Sequence, residues 1–406
     1  MSDAAYTVFE QQQTERGIDL EQVKVRLKAL KVETPSWGYG DSGTRFKVFQ
    51  QVGVPRNPLE KLEDAAQVYR FTGLSSSVAL HIPWDKVDDY TQLQEHATAL
   101  GLSIGAINPN LFQDDDYIFG SSCNSNPAIR RKATKHMLEC VEIARTLGSS
   151  LLSLWFADGT NYPGQASIRQ RKHWLFESLH EVYQALDSNM RMLIEYKFFE
   201  PAFYHTDLGD WGMAFNMAQK LGPQAQVLVD TGHHAQGTNV EQIVAYLLDE
   251  EKLGGFHFNS RKYADDDLIV GAINPYELFL IFYQILDVYA EANTGVSHTA
   301  ENIAYMIDQS HAIEPKIPAM IRSVLNVQTQ YAKALLINLD AVKKAQEQQD
   351  VLGAENAVRE AFECDVTPLL RAVREEIGIP VDPMRAYLAS GYAESIQHRG
   401  KGGASW

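Results

Sequence analysis

The sequence predicts an α/β fold, namely a (β/α)8 TIM barrel with a C-terminal helical extension. Short apolar runs rich in β-branched and aromatic residues alternate with longer segments of helical period over about the first 310 residues. Eight such runs are present, and no GxGxxG motif follows the first of them. These observations favour a closed parallel barrel over an open doubly wound sheet.

The predicted strands are short, and several of them end in charged residues. They span residues 33–37, 76–83, 102–108, 150–156, 191–197, 225–230, 254–259 and 301–308. The segments between them have helical period. In the segment 126–148, for example, Ala133, Met137 and Cys140 recur at the spacing of one apolar helix face.

The chain of 406 residues is long enough for one large domain and an extension. We predict that residues 1–312 form the barrel with an N-terminal helical lead-in. Residues 313–406 contain helical segments without strands, so we predict a helical extension there that takes part in subunit contacts.

The composition excludes several classes of partner. A formal net charge of −16 repels phosphate backbones and anionic lipid, so we expect no nucleic-acid and no membrane partner. The sequence has no signal-peptide pattern and no apolar run of about 18 residues, which predicts a cytoplasmic protein. Its cysteines, Cys123, Cys140 and Cys364, are odd in number and widely spaced, so neither a disulfide framework nor a thiolate metal site is expected.

Charged residues stand at the ends of four consecutive predicted strands. Glu195 lies in the fifth strand, Asp230 ends the sixth, His257 lies in the seventh and Asp308 ends the eighth. Taken singly, each could be a helix cap or a surface pair such as Glu195 with Lys197. Because the carboxyl ends of barrel strands meet at one mouth, their coincidence predicts a functional site there.

Three consecutive aspartates follow the seventh strand, and His233 follows the sixth. Asp265 and Asp267 join the carboxylates of the strand ends, so that five carboxylates meet at one mouth, and these repel one another unless divalent cations neutralise them. Asp265 and Asp267 can chelate one ion while Asp266 faces solvent. Oxygen-rich ligation with one imidazole per ion suits Mn²⁺, Mg²⁺ or Co²⁺, although zinc or copper could bind tightly and inhibit. The sequence therefore predicts a centre of two cations.

Six segments resemble the L-rhamnose isomerases of the broad-specificity bacterial type, within the xylose isomerase-like barrel superfamily. They are PSWGYGDSGTRF, LHIPWD, IEYK, VDTGHH, HFNSRKYADDD and IDQSH. Xylose isomerases are similar in the Glu-x-Lys of strand five and the Asp-x-Asp after strand seven. They typically have Glu where this chain has Asp230 and Asp where it has His257, and these two departures favour the rhamnose type.

The resemblance implies two divalent cations per subunit, with Mn²⁺ expected and Mg²⁺ or Co²⁺ as alternatives. The structural cation would be held by Glu195, Asp230, His257 and Asp308. The catalytic cation would be held by Asp230, His233, Asp265 and Asp267.

The resemblance also implies roles in catalysis and sugar binding. Lys197 would hydrogen-bond the sugar near O1, and His81 would bind the sugar ring and assist its opening, with Asp85 as its orienting partner. His81, Lys197, Asp265 and Asp267 make up the implied catalytic set. Taken alone, a histidine flanked by apolar residues is more often a satisfied core group, but the position of His81 at a strand end favours the role in sugar binding.

Aromatic residues complete the implied sugar site. Trp37 and Trp155 resemble the walls against which the sugar packs, although core tryptophans would fit the same positions. Phe46 resembles the aromatic residue that this family extends into the site of an adjacent subunit. The resemblance thereby implies a homotetramer.

The implied reaction is aldose–ketose isomerisation of L-rhamnose to L-rhamnulose, with L-mannose, L-lyxose and related sugars also accepted. The hydrogen would move as a hydride between C1 and C2, while proton transfer through an enediol stays open. The alternatives are a ketose 3-epimerase or another sugar isomerase of this superfamily, a metal-dependent abasic-site endonuclease, and a non-catalytic sugar-binding protein. The net charge of −16 opposes the endonuclease, and the full ligand set opposes the non-catalytic protein.

Overall fold

The computed structural model describes residues 4–41, 48–200, 204–290, 294–310 and 312–402. Within these ranges eight parallel strands are hydrogen-bonded in the order in which they occur along the chain. They are β1 (Thr34–Pro35), β2 (Ser77–Ile82), β3 (Ser103–Pro109), β4 (Leu151–Leu154), β5 (Arg191–Glu195), β6 (Ala225–Asp230), β7 (Leu253–Phe258) and β8 (Ala304–Ile307).

The first and last strands close the barrel. The backbone N–H of Glu33, directly before β1, donates to the carbonyl of Tyr305 at 2.8 Å, and the N–H of Ile307 donates back to Glu33 at 2.9 Å. The predicted TIM barrel is thereby confirmed. One difference lies at the first strand, where residues predicted to extend it form a 3₁₀ turn, Ser36–Tyr39, that carries Trp37 inward.

Helices fill the connections between strands and continue after β8. Those before and between the strands are Ala4–Glu15, Leu20–Ala29, Pro58–Thr72, Tyr90–Ala99, Pro127–Leu147, Ile168–Tyr183, Trp211–Leu221, Val240–Asp249, Pro275–Asp287 and Thr294–Glu301. Those after β8 are Lys316–Ala334, Leu339–Glu347, Val351–Glu363, Thr367–Glu376, Pro383–Leu388 and Tyr392–Ser395. Short 3₁₀ helices lie at Ser36–Tyr39, Asp115–Phe119, Val288–Ala290 and Ile396–Arg399.

Seven of the helices between strands start at an N-cap residue. An Asn, Asp or Ser side chain accepts a backbone N–H of the first turn, and in several helices proline occupies the first position. The capping residues are Asn57, Asp89, Asn126, Ser167, Asp210, Asn239 and Asn274. These caps fix where each loop at the carboxyl end of the barrel stops.

Apolar side chains lie on both faces of the strands. One cluster fills the barrel interior, and a larger one packs between the strands and the surrounding helices. The interior cluster comprises Trp37, Ala79, Ala106, Leu151, Leu193, Leu228 and Met306. Parallel strands covered on both faces are apolar throughout, which explains why their sequences show little alternation.

The polar side chains at the strand ends point into the barrel because they share a strand face with the interior cluster. Side chains two positions apart on a strand share a face, so a residue two positions after an interior apolar residue also points inward. Five positions follow this rule: Leu193 precedes Glu195, Leu228 precedes Asp230, Met306 precedes Asp308, Ala79 precedes His81 and Ala106 precedes Asn108. A polar layer therefore lies above the apolar layer, at the carboxyl ends of the strands.

The helices after β8 continue the packing of the barrel. Lys316–Ala334 packs against Pro275–Asp287 and Pro58–Thr72 and shares their apolar core. Near the C-terminus, Arg399 forms ion pairs with Asp64 at 2.8 Å and with Glu63 at 3.0 Å. The division at residue 312 into barrel and extension stays a prediction. In the described parts of the chain, no helix is both long and apolar enough to cross a membrane.

We predict that Gly105→Ala destabilises the barrel. A Cβ atom at this position of β3 would lie 1.5 Å from Oε2 of Glu33, whose buried carboxylate accepts the N–H of Ala106 at 2.9 Å. Overpacking of this kind typically costs about 1–3 kcal/mol of unfolding free energy. Urea denaturation measures the loss. The matched control, Gly212→Ala at the start of a helix, should change the unfolding free energy little, and equal stabilities of the two variants would contradict this prediction.

Candidate metal centre

The ends of strands β5 to β8 bring four potential ligands together. One ligand atom from each of Glu195, Asp230, His257 and Asp308 lies within 4.8 Å of the others. His257 Nδ1 is 3.2 Å from Glu195 Oε2 and 3.7 Å from Asp308 Oδ2. The strand register explains this grouping, because His257 lies directly opposite Asp230 in the ladder between β6 and β7.

A second group shares Asp230 with the first. Asp230, His233 and Asp265 place one ligand atom each within 4.8 Å of the others. His233 Nε2 is 3.5 Å from Asp265 Oδ1, and the Lys197 ammonium lies 2.7 Å from Asp265 Oδ2. The shared carboxylate makes the two groups adjacent, as a bridging ligand requires.

Lys197 and Glu195 do not form a surface pair. Their side chains are only 4% and 3% exposed, and each meets a different partner inside the barrel mouth. Glu195 contacts the two imidazoles, with Oε1 at 3.2 Å from His233 Nδ1, whereas Lys197 contacts Asp265. Both side chains therefore belong to the barrel mouth, Glu195 at the last residue of β5 and Lys197 two residues after it.

The three consecutive aspartates have three different environments. Asp265 is buried within the second group. Asp267 is half-buried with a left-handed backbone (φ 47°), and burial together with Asp265 and the other nearby aspartates raises its pKa well above the usual range. Asp266 does not simply face solvent, as its sequence suggested. It accepts the backbone N–H groups of Lys262 and Tyr263 at 2.5 and 2.7 Å and thereby holds the loop.

Neighbouring groups hold the ligands in place. Asn259 donates to both oxygens of Asp230, at 3.0 and 3.1 Å, and the Trp37 indole donates to Asp308 Oδ1 at 2.8 Å. His233 Nδ1 lies 3.0 Å from the carbonyl of Tyr196, so Nδ1 donates and Nε2 is left to bind a metal. The sequence prediction missed Asn259, although it directly follows β7, next to a predicted ligand.

The buried charges shift one another's pKa. Burial disfavours the charged carboxylate of Glu195, but His257 and His233 outweigh it and lower its pKa to about 2. Burial likewise disfavours the charged imidazole of His257, but Glu195 and the neighbouring aspartates raise its pKa to about 9. Burial raises the pKa of Asp230 to about 7, and nearby carboxylates add to the rise. In the metal-free chain the imidazoles therefore supply the positive charge that the carboxylates need.

The donor set fits divalent cations. Glu195 Oε1 and His257 Nδ1 are buried, and no hydrogen bond of acceptable geometry reaches either atom from the described residues. Buried polar atoms without a hydrogen bond are costly, and a coordinated cation would satisfy both. Carboxylates with one imidazole in each group match oxygen-preferring ions such as Mn²⁺, Mg²⁺ or Co²⁺. These groups could therefore hold one or two metal ions.

Aromatic rings line the mouth beside these groups. The His81 ring stacks on Trp84 with centroids 3.7 Å apart, and Trp37 meets His81 edge-on at 5.7 Å. Phe112 contacts Trp155 at 4.9 Å, and the Lys197 ammonium lies 5.0 Å above the Trp155 ring. The sequence prediction singled out neither Trp84 nor Phe112.

Both of these aromatic residues follow the end of a strand. Trp84 lies two residues after β2, and Phe112 lies three residues after β3. Their position at the carboxyl ends was the signal available in the sequence.

Asp85 binds the main chain of His81, accepting its backbone N–H at 2.8 Å, and its other oxygen pairs with Lys61 at 2.7 Å. It is therefore not seen as a hydrogen-bond partner of the His81 ring. His81 Nδ1 is buried without a hydrogen bond from the described residues. Phe46 lies outside the described residues.

One further acidic group, Cys123 with Asp158 and Asp207, lies near the loops after β3 and β4. Arg171 already neutralises it, with its guanidinium 2.8 Å from Asp207. Asp158 accepts the backbone N–H groups of Ser121 and Cys123, both at 2.6 Å. This group holds loops together and has no need of a cation.

A TIM barrel with carboxylate and imidazole groups at the carboxyl ends of its strands is a common framework for metal-dependent catalysis. The family model of the xylose isomerase-like TIM barrel matches residues 67–279. The chain is 45% identical to a probable sugar isomerase of Rhizobium meliloti over 386 residues, covering 94% of this chain and 89% of that protein. A probable sugar isomerase of Mesorhizobium japonicum is 39% identical, covering 94% and 88%. The chain belongs to the xylose isomerase-like TIM barrel family.

Solved structures share this fold at low sequence identity. An L-ribulose 3-epimerase is similar with a TM-score of 0.56 and 13% identity, covering 76% of this chain and 98% of that one. A D-allulose 3-epimerase from Methylomonas sp. is similar with a TM-score of 0.54 and 13% identity, covering 74% and 97%. At this identity the likeness concerns the fold alone.

We predict that Asp267→Asn removes one equivalent of bound Mn²⁺ and leaves the barrel folded. The side chain lies on a loop beside the second group and contributes little to the core beneath it. Elemental analysis after dialysis measures the metal, and far-UV circular dichroism measures the fold. Asp266→Asn is the matched control. The Asp266 carboxylate accepts only N–H groups of its own loop, so its replacement should leave the metal content unchanged. A full metal complement in Asp267→Asn would contradict the assignment.

We predict that metal uptake releases protons and strengthens with pH. His257 and Asp230, with pKa values raised to about 9 and about 7, must lose their protons before they can ligate. The apparent affinity for Mn²⁺ should therefore rise from about pH 6 to about pH 9, with at least one proton released at about pH 7. Calorimetric titration in two buffers of different ionisation enthalpy measures this release. An affinity that falls with pH would contradict the role of these groups as ligands.

Proposed function

We propose that the protein is a divalent-metal-dependent aldose–ketose isomerase that converts L-rhamnose to L-rhamnulose and also accepts L-mannose and L-lyxose. The observation that supports this best is the pair of ligand groups sharing Asp230, with Lys197 on one side and the aromatic ring stack of His81 on the other. Membership of the xylose isomerase-like family and the similarity to probable sugar isomerases support the class of reaction.

In this proposal the two ligand groups, which share Asp230, would hold one cation each. Glu195, Asp230, His257 and Asp308 would hold one, and Asp230, His233, Asp265 and Asp267 would hold the other. When bound, the two cations polarise the sugar carbonyl and stabilise the negative charge that develops on its oxygens. Mn²⁺ is the ion we propose, since the donors are oxygen-rich with one imidazole each.

The protein's own side chains bind and orient the sugar. Lys197 lies beside Asp265, where its ammonium can donate a hydrogen bond to the O1 end of the sugar. Burial and the nearby cation of Lys61 lower the pKa of His81 well below its usual range, so its ring is neutral and would assist ring opening by hydrogen-bonding the sugar. Trp37 and Trp155 offer apolar faces for the carbon chain.

A ketose 3-epimerase is the second candidate, because the solved structures that share the fold include such enzymes. In this chain Asp308 stands at the end of β8, and a second ligand group lies beside the first. The second group favours isomerisation between C1 and C2. Detection of a C3-epimerised ketose as the main product would favour the epimerase instead.

We further propose that the enzyme is a cytoplasmic homotetramer without nucleic-acid or membrane partners. Phe46 would reach the site of a neighbouring subunit, and the helices from residue 313 onward would contribute to the contacts. We therefore expect sedimentation equilibrium to give four chains per particle. We also expect Phe46→Ala to raise the Michaelis constant for the sugar. A monomer that is fully active would contradict this assembly.

We predict permissive recognition of the end of the sugar far from the metals. In the proposed site, cations held by the two ligand groups would bind the O1 to O3 end of the sugar and so select the configuration at C2 and C3. Apolar walls such as Trp37 can reject an added hydroxyl at the far end by only about 10²-fold. L-mannose and L-lyxose should therefore be converted with kcat/KM within about two to three orders of magnitude of L-rhamnose.

Steady-state ketose assays with the three sugars, after loading with Mn²⁺, measure these ratios. D-xylose serves as the comparison sugar, because it is the substrate of the xylose isomerases from which the sequence departs at Asp230 and His257. A gap of about 10⁵ between L-rhamnose and L-mannose, or a clear preference for D-xylose, would contradict the proposed substrate.

A further inference from the structure

We propose that Lys61 is a positioning residue for the reaction, acting on His81 through Asp85. This proposal rests on the proposed function, in which His81 contacts the sugar. Lys61 lies on the helix Pro58–Thr72, outside the barrel, and touches none of the candidate metal ligands in the contacts seen here. Nothing in its own segment of sequence indicates a role at the mouth.

The connection from Lys61 to His81 is short and buried. The Lys61 ammonium lies 2.7 Å from Asp85 Oδ1, with the two side chains 5% and 0% exposed. The other oxygen of Asp85 accepts the backbone N–H of His81 at 2.8 Å. The Asp85 carboxylate therefore holds the end of β2 at His81, the residue whose ring stacks on Trp84.

The same carboxylate also reaches the first strand. Asp85 Oδ2 accepts the hydroxyl of Ser36 at 2.5 Å, and the next residue, Trp37, donates to Asp308 Oδ1 at 2.8 Å. One ion pair thus joins a helix, the end of β2 and the turn after β1. Both of the rings that it steadies, those of His81 and Trp37, face the mouth and meet edge-on.

Stability alone gives little reason for this ion pair. Burying two charges costs solvation that their attraction recovers only partly, and apolar residues of similar volume often serve the fold as well. A buried carboxylate that is bound on both oxygens does, however, fix the positions of the groups that it contacts, here the main chain of His81 and the hydroxyl of Ser36. Since a misplacement of about 1 Å in an active site can cost about 10²-fold in rate, such fixing has a direct catalytic consequence.

The test is a double-mutant cycle between this ion pair and His81. Lys61→Met alone leaves Asp85 buried without a cation, so the informative variant is Lys61→Met/Asp85→Asn, which removes both charges and keeps an acceptor for the His81 N–H. It is combined with His81→Gln, and kcat/KM is measured with Mn²⁺ loaded. The matched control is Lys252→Met, another buried lysine, which donates to the carbonyls of Gly222 and Ala225 near the opposite ends of the strands.

We expect the charge-free pair to lower kcat/KM by at least about tenfold with wild-type His81, and by less than about threefold in the His81→Gln enzyme. The metal content should stay unchanged in both. Lys252→Met should change the thermal midpoint but not kcat/KM. Equal losses with and without His81, or a loss that follows the metal content, would overturn the proposal.

A second readout needs no sugar. The imidazole signal of His81 in ¹³C-histidine-labelled protein, assigned by its absence in His81→Gln, should shift in Lys61→Met/Asp85→Asn and stay in place in Lys252→Met. An unmoved signal would overturn the positioning role. Failure of the proposed function has a different signature, because the wild type would then leave L-rhamnose unconverted. The cycle would in that case be run on the ketose that the enzyme epimerises.

Discussion

The repulsion among buried carboxylates at one end of the barrel is the constraint on which the site depends. Glu195, Asp230 and Asp265 are each less than one-tenth exposed, and Asp308 and Asp267 lie close by. Removing a charged group from water costs several kcal/mol, so such a cluster persists only with nearby positive charge. Two imidazoles and one ammonium supply part of that charge, and the ligand atoms lie close enough together that they could also hold a metal ion.

The barrel places this cluster through a simple rule of strand geometry. An apolar layer fills the interior, and the residues two positions further along the same strands form the polar layer above it. The apolar layer is needed for folding, and it also sets the orientation of the ligands. The loops then add His233 and Asp265, while the main chain and Asn259 hold the shared carboxylate of Asp230. Folding and ligand placement are in this way coupled by the pleat of the strands.

Much of this arrangement could be predicted from the sequence. The strands can be recognised as apolar runs because each of them is covered on both faces. The predicted bounds of β6, residues 225–230, agree with the observed ones. Grouping of the strand-end ligands followed from the closed barrel alone. The contacts of Asp85 could not be predicted, since its choice between the ring and the main chain of His81 depends on Lys61 from a distant helix. The role of Asp266 was hidden for a similar reason, because it depends on the turn of its own loop.

Two ligand groups share Asp230, and in the proposed enzyme each would hold one cation. Anomalous diffraction at the manganese absorption edge, from crystals grown with Mn²⁺, tests it most directly. We expect two peaks in each chain, one at the group of Glu195, His257 and Asp308 and one at the group of His233 and Asp265, with Asp230 within reach of both. A single peak, or peaks at the group of Cys123 in place of these, would contradict it.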